Sequence, residues 1–342
     1  MKLTIAIPTY NRNELLRQHL AQLLPQLTAD CQLLVIDNHS DVPVAETLAA
    51  IFQQFPGVQK HVVRNRCNIG ANANILRCFE LSETRWLWCL GDDDEIKPDT
   101  IRTILAAIAE HPDAVAINFA ITRLRRETTT TIRSQAELAE KMDDYSNLLF
   151  ISTNIFDAAK LGKHLQFGHH YCYSHAPHLA LLFVALGEGQ PLVLKAGHLI
   201  DHSHPSGAPL VKLALGTAVL AEVLDHPVRS RFIRRVFATF PVIGYGARPL
   251  IERSRTNWRS ASLDARLLWG RYSPYQIGGV NRAKLLFTKL ACGLPLLGFV
   301  VFKVLHRVAK RGSAGPAAPD DPAVGATRST HPVAPSKIIS HE

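Results

Sequence analysis

The stretch WLWCLGDDDEIKPD, residues 86–99, sets five apolar residues and one glycine directly before three consecutive aspartates. A short apolar run of this kind is typical of a strand that is covered on both faces of a parallel sheet. Adjacent carboxylates repel one another and raise each other's pKa unless a cation or a set of hydrogen-bond donors holds them. The stretch therefore predicts a buried strand that ends in a ligand site.

The same alternation extends through the first 121 residues. Strand-like runs alternate with amphipathic helical runs of 10–15 residues; the strand-like runs are LTIAIP, QLLVIDN, KHVVRN, RWLWCLG and AVAINFAI. Strands that alternate with helices of this length predict right-handed βαβ units and a parallel sheet. The predicted fold class is therefore α/β.

Four polar clusters directly follow the first four predicted strands: TYNR, DNHS, RNRCN and GDDD. In parallel sheets, ligands bind beyond the carboxyl ends of the strands, near the point where strand order reverses. We therefore expect the four clusters to lie along one edge of the sheet and to share a ligand.

The side chains of these clusters suit a nucleotide diphosphate. Tyr10 offers a ring for base stacking, and Arg12 offers a guanidinium for phosphate. Asp37 can accept hydrogen bonds from a base or ribose, and the RNRCN cluster precedes a helix whose N-terminal amides favour an anion. The triple aspartate would bind a hard divalent cation, Mg²⁺ or Mn²⁺, which in turn neutralises the diphosphate.

Four blocks together, IAIPTYNR, LLVIDNHSD, RNRCNIGANANILRCFE and WLWCLGDDDEIKPD, resemble glycosyltransferase family 2, whose enzymes have the GT-A fold. The blocks occur in the family's order and spacing over about residues 1–120. The resemblance implies transfer of a sugar from a nucleotide diphosphate donor, with inversion at the anomeric carbon. It also implies a GT-A, Rossmann-like α/β domain with a mainly helical C-terminal extension.

The resemblance assigns roles to individual residues. Thr9, Tyr10 and Arg12 would line the nucleotide pocket, and Asp37 would contact the base. The residues that match the block bordering the diphosphate are Arg64, Asn68 and Gly70.

The acidic block departs from the family's D-x-D-D pattern. Counted back from Pro98, the first acidic position is Gly91 in this chain. Asp92 then falls near the ribose, Asp93 on the metal-ligand position, and Asp94 on the aspartate that follows it. The predicted metal ligands are therefore Asp93 and Asp94.

The candidate general base also departs from the family's pattern. Many family members begin a helix with a Glu-Asp pair, and the matching positions here are Pro177 and His178. A histidine suits general-base work, because its ordinary pKa is about 6.5. His175, one predicted helical turn earlier and on the same face, is a competing candidate. A helix-start histidine with no catalytic duty is the remaining alternative.

Composition narrows the classes of partner and the cellular compartment that we expect. The formal net charge is +9, and ten arginines fall between residues 229 and 271, against two acids. Such a surface suits anionic lipid or phosphate-bearing substrates, or it is an ordinary solvated helical face; no nucleic-acid partner is expected. Six cysteines without a C-x-x-C pair read as reduced core residues, and no signal peptide is recognisable, so a cytoplasmic location is expected.

The predicted domains are a GT-A domain (1–205), a helical basic extension (206–311) and a disordered tail (312–342). The GT-A domain divides into a nucleotide-sugar half (1–121) and an acceptor half (122–205). Within the extension, residues 284–311 have an apolar centre with basic flanks. They predict a partly inserted anchor on the inner face of the plasma membrane, or else a buried helix pair.

The leading hypothesis is a metal-dependent inverting glycosyltransferase that acts on a lipid-linked or cell-surface polysaccharide precursor, with a glycan or polyprenyl-linked acceptor. A sugar nucleotidyltransferase would need a glycine-rich loop after the first strand, and PTYNRNE has no glycine. A non-catalytic nucleotide-sugar-binding or assembly protein stays open, because the missing first carboxylate and the unusual base are both compatible with lost activity.

Overall fold

The computed structural model describes residues 2–121, 126–201, 210–239, 250–254, 256–275 and 277–293. Eight strands form one sheet and two short strands form a second. The strands are β1 (Leu3–Thr9), β2 (Cys31–Asp37), β3 (Gln59–Arg64), β4 (Trp86–Cys89), β5 (Glu95–Ile96), β6 (Ala116–Phe119), β7 (Thr130–Ile132), β8 (Asn154–Asp157), β9 (Leu192–Lys195) and β10 (Ile200–Asp201).

Helices connect the strands of the first half and dominate the second. Their bounds are α1 (Asn13–Leu23), α2 (Val44–Gln53), α3 (Ala71–Glu80), α4 (Thr100–Glu110), α5 (Gln135–Lys141), α6 (Tyr145–Leu149), α7 (Ala158–Leu161), α8 (Leu165–His170), α9 (Pro177–Gly187), α10 (Leu210–Leu220), α11 (His226–Thr239), α12 (Trp258–Tyr272) and α13 (Gly279–Gly293).

The large sheet has the order β3-β2-β1-β4-β8-β6-β9-β7. Strands β1 to β4 are mutually parallel, as the alternating sequence pattern predicts. The sheet as a whole is mixed, because β8 enters antiparallel between β4 and β6, and β7 pairs antiparallel with β9 at the far edge. The five strands predicted in the first 121 residues, β1 to β4 and β6, thus all run in one direction, and the antiparallel strands β7 and β8 come from later in the chain.

The core lies between the sheet and the flanking helices. Strand β2 is buried at every position. Leu16, Leu20 and Leu23 of α1 belong to the same hydrophobic core as the strand. Burying one such side chain contributes roughly 2 kcal/mol. This packing holds the polar strand ends in fixed positions at one edge.

The C-terminal part is helical, and α12 packs along α13. Within the described residues, none of the helices combines the length and the apolar character that crossing a bilayer requires. Residues 294–311 of the predicted anchor lie outside the described residues. The same holds for residues 206–209 of the predicted extension and for the whole predicted tail, 312–342.

Candidate functional site

The ends of the first four strands surround one cavity of about 530 Å³. All four predicted polar clusters contribute to its wall; their lining residues are Thr9, Tyr10, Arg12, Asn38, Asn68, Gly91 and Asp92. The expected convergence at one sheet edge is therefore present, as the parallel order of β1 to β4 requires.

Asp92 forms the polar floor of this cavity. Its side chain is buried, and its Oδ2 accepts a 2.6 Å hydrogen bond from the hydroxyl of Thr9. Its Oδ1 accepts a second bond, of 2.9 Å, from Nη1 of Arg12. Burial raises the pKa of Asp92, and these two donors act in the opposite direction. Thr9 and Arg12 thus fix the orientation of the carboxylate.

Arg12 also holds the neighbouring carboxylate. Its Nη1 lies 2.8 Å from Oδ2 of Asp93, so one guanidinium nitrogen bridges Asp92 and Asp93. Asp92 is the larger cause of the raised pKa of Arg12. The Asp93 side chain is 47% exposed, in contrast to the buried Asp92. Asp93 is therefore the solvent-facing carboxylate of the triplet.

Asp94 is not among the residues that line the cavity. Its Oδ2 accepts a 2.5 Å hydrogen bond from the hydroxyl of Ser152, and burial raises its pKa to about 6. The same hydroxyl accepts a 2.9 Å bond from the backbone N–H of Gly91. A β-carbon at position 91 would collide with Oδ2 of Asp94, so any other residue there would require the Asp94 carboxylate to shift.

The residues present fit a divalent cation only in part. Among the described residues, no group of three or more carboxylate, histidine or cysteine side chains is close enough to hold a metal ion. Asp93 supplies one accessible carboxylate, and Mg²⁺ sites of substrate phosphates commonly use one or two carboxylates. Oδ2 of Asp94 is bound by Ser152, so of the predicted Asp93–Asp94 ligand pair only Asp93 has an exposed carboxylate.

Asp37 is buried and hydrogen-bonded to other residues of the protein. It is 1% exposed, and its oxygens accept bonds from the backbone N–H of Ser40 (2.7 Å) and from Nη1 of Arg64 (2.6 Å). Burial alone raises its pKa, but its hydrogen bonds outweigh burial and the net pKa is lowered. Asp37 and Arg64 therefore hold the turn after β2, and neither lines the cavity at which they were predicted to contact base and diphosphate.

Asparagine side chains, rather than Asp37 and Arg64, line this part of the cavity. Asn38 donates a 2.8 Å bond to Oδ1 of Asn68, and Asn65 donates bonds to both Asn38 and Asn74. Asn38, Asn74 and Ser152 were missed by the sequence reasoning. Asn38 stands next to the predicted Asp37 in DNHS, and that position was its only signal.

Gly70 begins α3 at the cavity. Its φ of 84° lies in the region that favours glycine, and its N–H donates a 2.9 Å bond to Oδ1 of Asn68. Gly70 and Ala71 both line the cavity, so the N-terminus of the ten-residue α3 opens onto it. Free amides at this end favour a bound anion.

His178 lies in the core. It is 1% exposed, its Nε2 lies 3.1 Å from the carbonyl oxygen of Leu148, and its ring packs edge-on against Phe156. Burial lowers its pKa to about 4. This placement argues against the predicted role as general base, because no substrate hydroxyl reaches a buried ring.

His175 lies nearer to the cavity, although not as predicted. Helix α9 begins at Pro177, so His175 precedes the helix, and its left-handed φ of 64° turns it off the face of His178. Its Nδ1 lies 3.5 Å from the side-chain nitrogen of Asn72, the residue after Ala71. Burial, and then the charge of Lys212, lower its pKa.

Two solved structures show the same fold. The Staphylococcus aureus TarS fragment 1–349 superposes with a TM-score of 0.55 at 12% identity, over 85% of this chain and 91% of that one. The mannosyltransferase PcManGT from Pyrobaculum calidifontis gives 0.53 at 13% identity, over 85% and 86%. The fold is therefore that of GT-A glycosyltransferases.

Curated relatives match over shorter segments. An uncharacterized glycosyltransferase of Mycoplasma pneumoniae is 28% identical over 125 residues, 36% of this chain and 42% of that protein. The abequosyltransferase RfbV of Salmonella typhimurium is 26% identical over 117 residues, 33% and 34% of the two chains. The match thus spans well under half of the curated relatives' length.

The family model of glycosyl transferase family 2 matches residues 4–173, about half of the chain. This segment holds the four polar clusters and the strands that carry them. Since the model, the curated relatives and the fold agree, the chain belongs to glycosyltransferase family 2.

Proposed function

We propose that this protein is an inverting glycosyltransferase that moves a sugar from a nucleotide diphosphate donor to a hydroxyl of a lipid-linked or cell-surface polysaccharide precursor. The observation that carries the proposal is the convergence of four polar strand ends on one cavity, beside the N-terminus of α3. Relatives support the donor class, since TarS was solved with UDP-GlcNAc and PcManGT with GDP-Man and Mn²⁺.

The donor nucleotide occupies the 530 Å³ cavity in this proposal. The Tyr10 ring, 43% exposed, stacks on the base, and the amides of Asn38 and Asn68 meet its polar edge. The diphosphate lies between Arg12 and the N-terminal amides of α3, where the guanidinium and the helix dipole both stabilise negative charge.

Asp93 would hold a divalent cation, Mg²⁺ or Mn²⁺, together with the donor diphosphate. Its exposed carboxylate supports this assignment, and oxygens of the donor diphosphate would supply further ligands. When bound, the cation supplies positive charge that stabilises the departing nucleoside diphosphate. Arg12 lies beside both carboxylates and contributes a fixed cation at the same place.

His175 takes the proton of the acceptor hydroxyl. Its lowered pKa keeps the imidazole neutral at pH 7, as a base must be, and its Nδ1 faces Asn72 beside the donor cavity. The acceptor oxygen attacks the anomeric carbon while the bond to the diphosphate oxygen breaks. The electron pair leaves with the nucleoside diphosphate, and attack from the opposite face inverts the configuration.

The test is turnover of a panel of nucleotide sugars with Mn²⁺ or Mg²⁺, with and without glycan and lipid-phosphate acceptors, followed by NMR of the anomeric proton. We expect metal-stimulated release of nucleoside diphosphate and an inverted product. His175→Ala should lower turnover by roughly 10² with little change in donor affinity, whereas His169→Ala, an exposed histidine on α8, should leave it unchanged. A product of retained configuration would overturn the inverting mechanism.

A non-catalytic nucleotide-sugar-binding protein is the second candidate. The bridging of Asp92 and Asp93 by Arg12 favours it, because a protein cation already neutralises the carboxylates. The same panel separates the two: nucleotide binding without turnover for every donor and acceptor would support the binding protein.

Peripheral attachment to the inner membrane face belongs to the same proposal. Exposed leucines recur four residues apart on α12 (Leu263, Leu267) and on α13 (Leu286, Leu290). Residues 258–293 carry six lysines and arginines against a single acid, Asp264. Apolar side chains among cations are suited to a membrane with anionic lipid.

A further inference from the structure

A second cavity, of about 200 Å³, lies beside His175 and outside the donor cavity. Its wall comes from the turn before α9, from α10 and from α12; the side chains used below are Tyr173, His175, Lys212, Val219, Leu267 and Arg271. None of the predicted donor-site residues lines it.

Gly216 explains how α10 comes so close to His175. A β-carbon at this position would collide with the backbone carbonyl of Ser174, so only glycine permits the contact. The close approach brings Lys212, one helical turn earlier on α10, to the same cavity. The electrostatic effect of Lys212 on the pKa of His175 is consistent with that proximity.

The cavity carries uncompensated positive charge. Lys212 is exposed, and within the part of the chain that the structure describes no carboxylate pairs with it. Arg271 pairs with Glu222 at 3.3 Å, and that carboxylate is 49% exposed. Lys212 and the weakly paired Arg271 leave net positive charge at the cavity, and this charge attracts an anion such as a phosphate.

The rest of the wall is apolar. Leu267 and Val219 line the cavity beside the two cations, and the exposed ring of Tyr173 stands at its edge. A site that combines cations with aliphatic side chains suits a phosphate that is attached to an apolar or sugar group, because each part of the ligand meets its own surface.

His175 links the cationic cavity to the start of α3. It lines the cationic cavity, and its Nδ1 faces Asn72, which follows the donor-cavity residues Gly70 and Ala71. We infer that the cationic cavity is an acceptor subsite that binds a phosphate group of the acceptor, through Lys212 and Arg271, while the acceptor hydroxyl lies at His175. This inference rests on the proposed glycosyltransferase function.

Direct binding of phosphate probes tests the subsite. The probes are inorganic phosphate, glycerol 3-phosphate and decyl phosphate, titrated by calorimetry into the full chain. We expect Lys212→Gln and Arg271→Gln to weaken binding of the tightest probe at least tenfold, and Lys212→Arg to retain it. The matched control is Arg266→Gln, an exposed arginine of α12 that does not line the cavity.

The probes also separate two sources of the phosphate. Decyl phosphate binding tenfold or more tighter than glycerol 3-phosphate supports a lipid-borne phosphate, and equal affinities support a phosphate carried by a glycan chain. Binding that is undetectable for all three probes, or unchanged in Lys212→Gln, overturns the subsite.

Donor binding serves as the independent readout. Affinities for nucleotide sugars should be the same in Lys212→Gln and wild type. If wild type binds no nucleotide sugar while the phosphate probes still depend on Lys212, the glycosyltransferase proposal fails and the anion site stands. The reverse result removes the subsite alone.

Discussion

Asp92, Asp93 and Asp94 are adjacent in sequence but have three different environments. Asp92 is held by Thr9 and Arg12, Asp93 faces solvent, and Asp94 is held by Ser152. Adjacent residues after a strand point in different directions, so the backbone separates charges that the sequence presents as equivalent. Only one of the three keeps an accessible carboxylate for a cation.

Asp93→Asn should therefore abolish the metal dependence of nucleotide binding. We expect Mn²⁺ to strengthen binding of the preferred nucleoside diphosphate at least tenfold in wild type, and to leave the variant's affinity unchanged. Asp94→Asn is the matched control and should keep the metal effect, because its carboxylate is directed at Ser152. Calorimetric titrations with and without Mn²⁺ measure both. Loss of the metal effect in Asp94→Asn alone would reverse the assignment.

His178 should make folding sensitive to mild acid. Its folded pKa of about 4 lies below the ordinary 6.5, so the unfolded chain binds the proton more readily. Its stabilising contribution is complete above pH 6.5 and is lost as the pH falls towards 4. Between pH 7 and pH 5 the loss is about 2 kcal/mol.

The measurement is denaturant unfolding of wild type and His178→Phe at both pH values. We expect the fall in stability between pH 7 and pH 5 to be smaller in the variant by about 2 kcal/mol, whatever its stability at pH 7. His169→Phe is the control, since His169 is exposed. An equal fall in wild type and His178→Phe would contradict the buried neutral ring.

At the level of elements, the turn between β2 and α2 depends on Asp37. Asp37→Asn removes the charge that binds Arg64 and the N–H of Ser40, so we expect a loss of about 2 kcal/mol in stability. Asp30→Asn is the comparison, because its pair with Lys2 is exposed and should contribute under about 1 kcal/mol. Thermal or urea unfolding measures the stability of both variants. A larger loss in Asp37→Asn than in Asp30→Asn supports a structural role of Asp37 in the turn, and equal losses support a ligand-facing Asp37.

The strands could be predicted from sequence where both faces are buried and the helices between them are regular. β8 could not, because NIFD is four residues long and shows neither alternation nor a following long helix. The four polar clusters were placed correctly as a group, since parallel strands end at one edge. The direction of each side chain depended on tertiary hydrogen bonds, so the inward turns of Asp37 and Asp94 had no sequence signal.

His178 illustrates the same limit at a helix start. The sequence predicted a helix here that included His175, whereas the helix begins at Pro177. It could not show that Leu148 and Phe156 enclose the ring, because those residues come from α6 and β8, distant in sequence. No sequence pattern predicted the left-handed backbone at His175, which separates the rings of His175 and His178.

At the scale of the whole molecule, the proposed membrane contact depends on α13. Leu286 and Leu290 are 41% and 56% exposed, and Lys289 follows the first by three residues. Leu286→Ser with Leu290→Ser should lower binding to vesicles that contain anionic lipid by at least fivefold, because apolar insertion and charge attraction act together. Co-sedimentation with anionic and neutral vesicles at low and high salt measures the change.

The control for that experiment lies on the opposite end of the chain. Val42→Ser changes a residue that is 56% exposed in the nucleotide half, and it should bind vesicles as wild type does. Wild-type binding that is absent, or equal for neutral and anionic vesicles, would argue against attachment through the basic helices.

The contact between position 91 and Asp94 couples the effects of substitutions at these two positions. Because a β-carbon at 91 meets the Asp94 carboxylate in its bond to Ser152, the two positions are epistatic. An aspartate at 91 would therefore displace the Asp94 carboxylate from Ser152, and its effect should differ between chains with aspartate and with alanine at position 94.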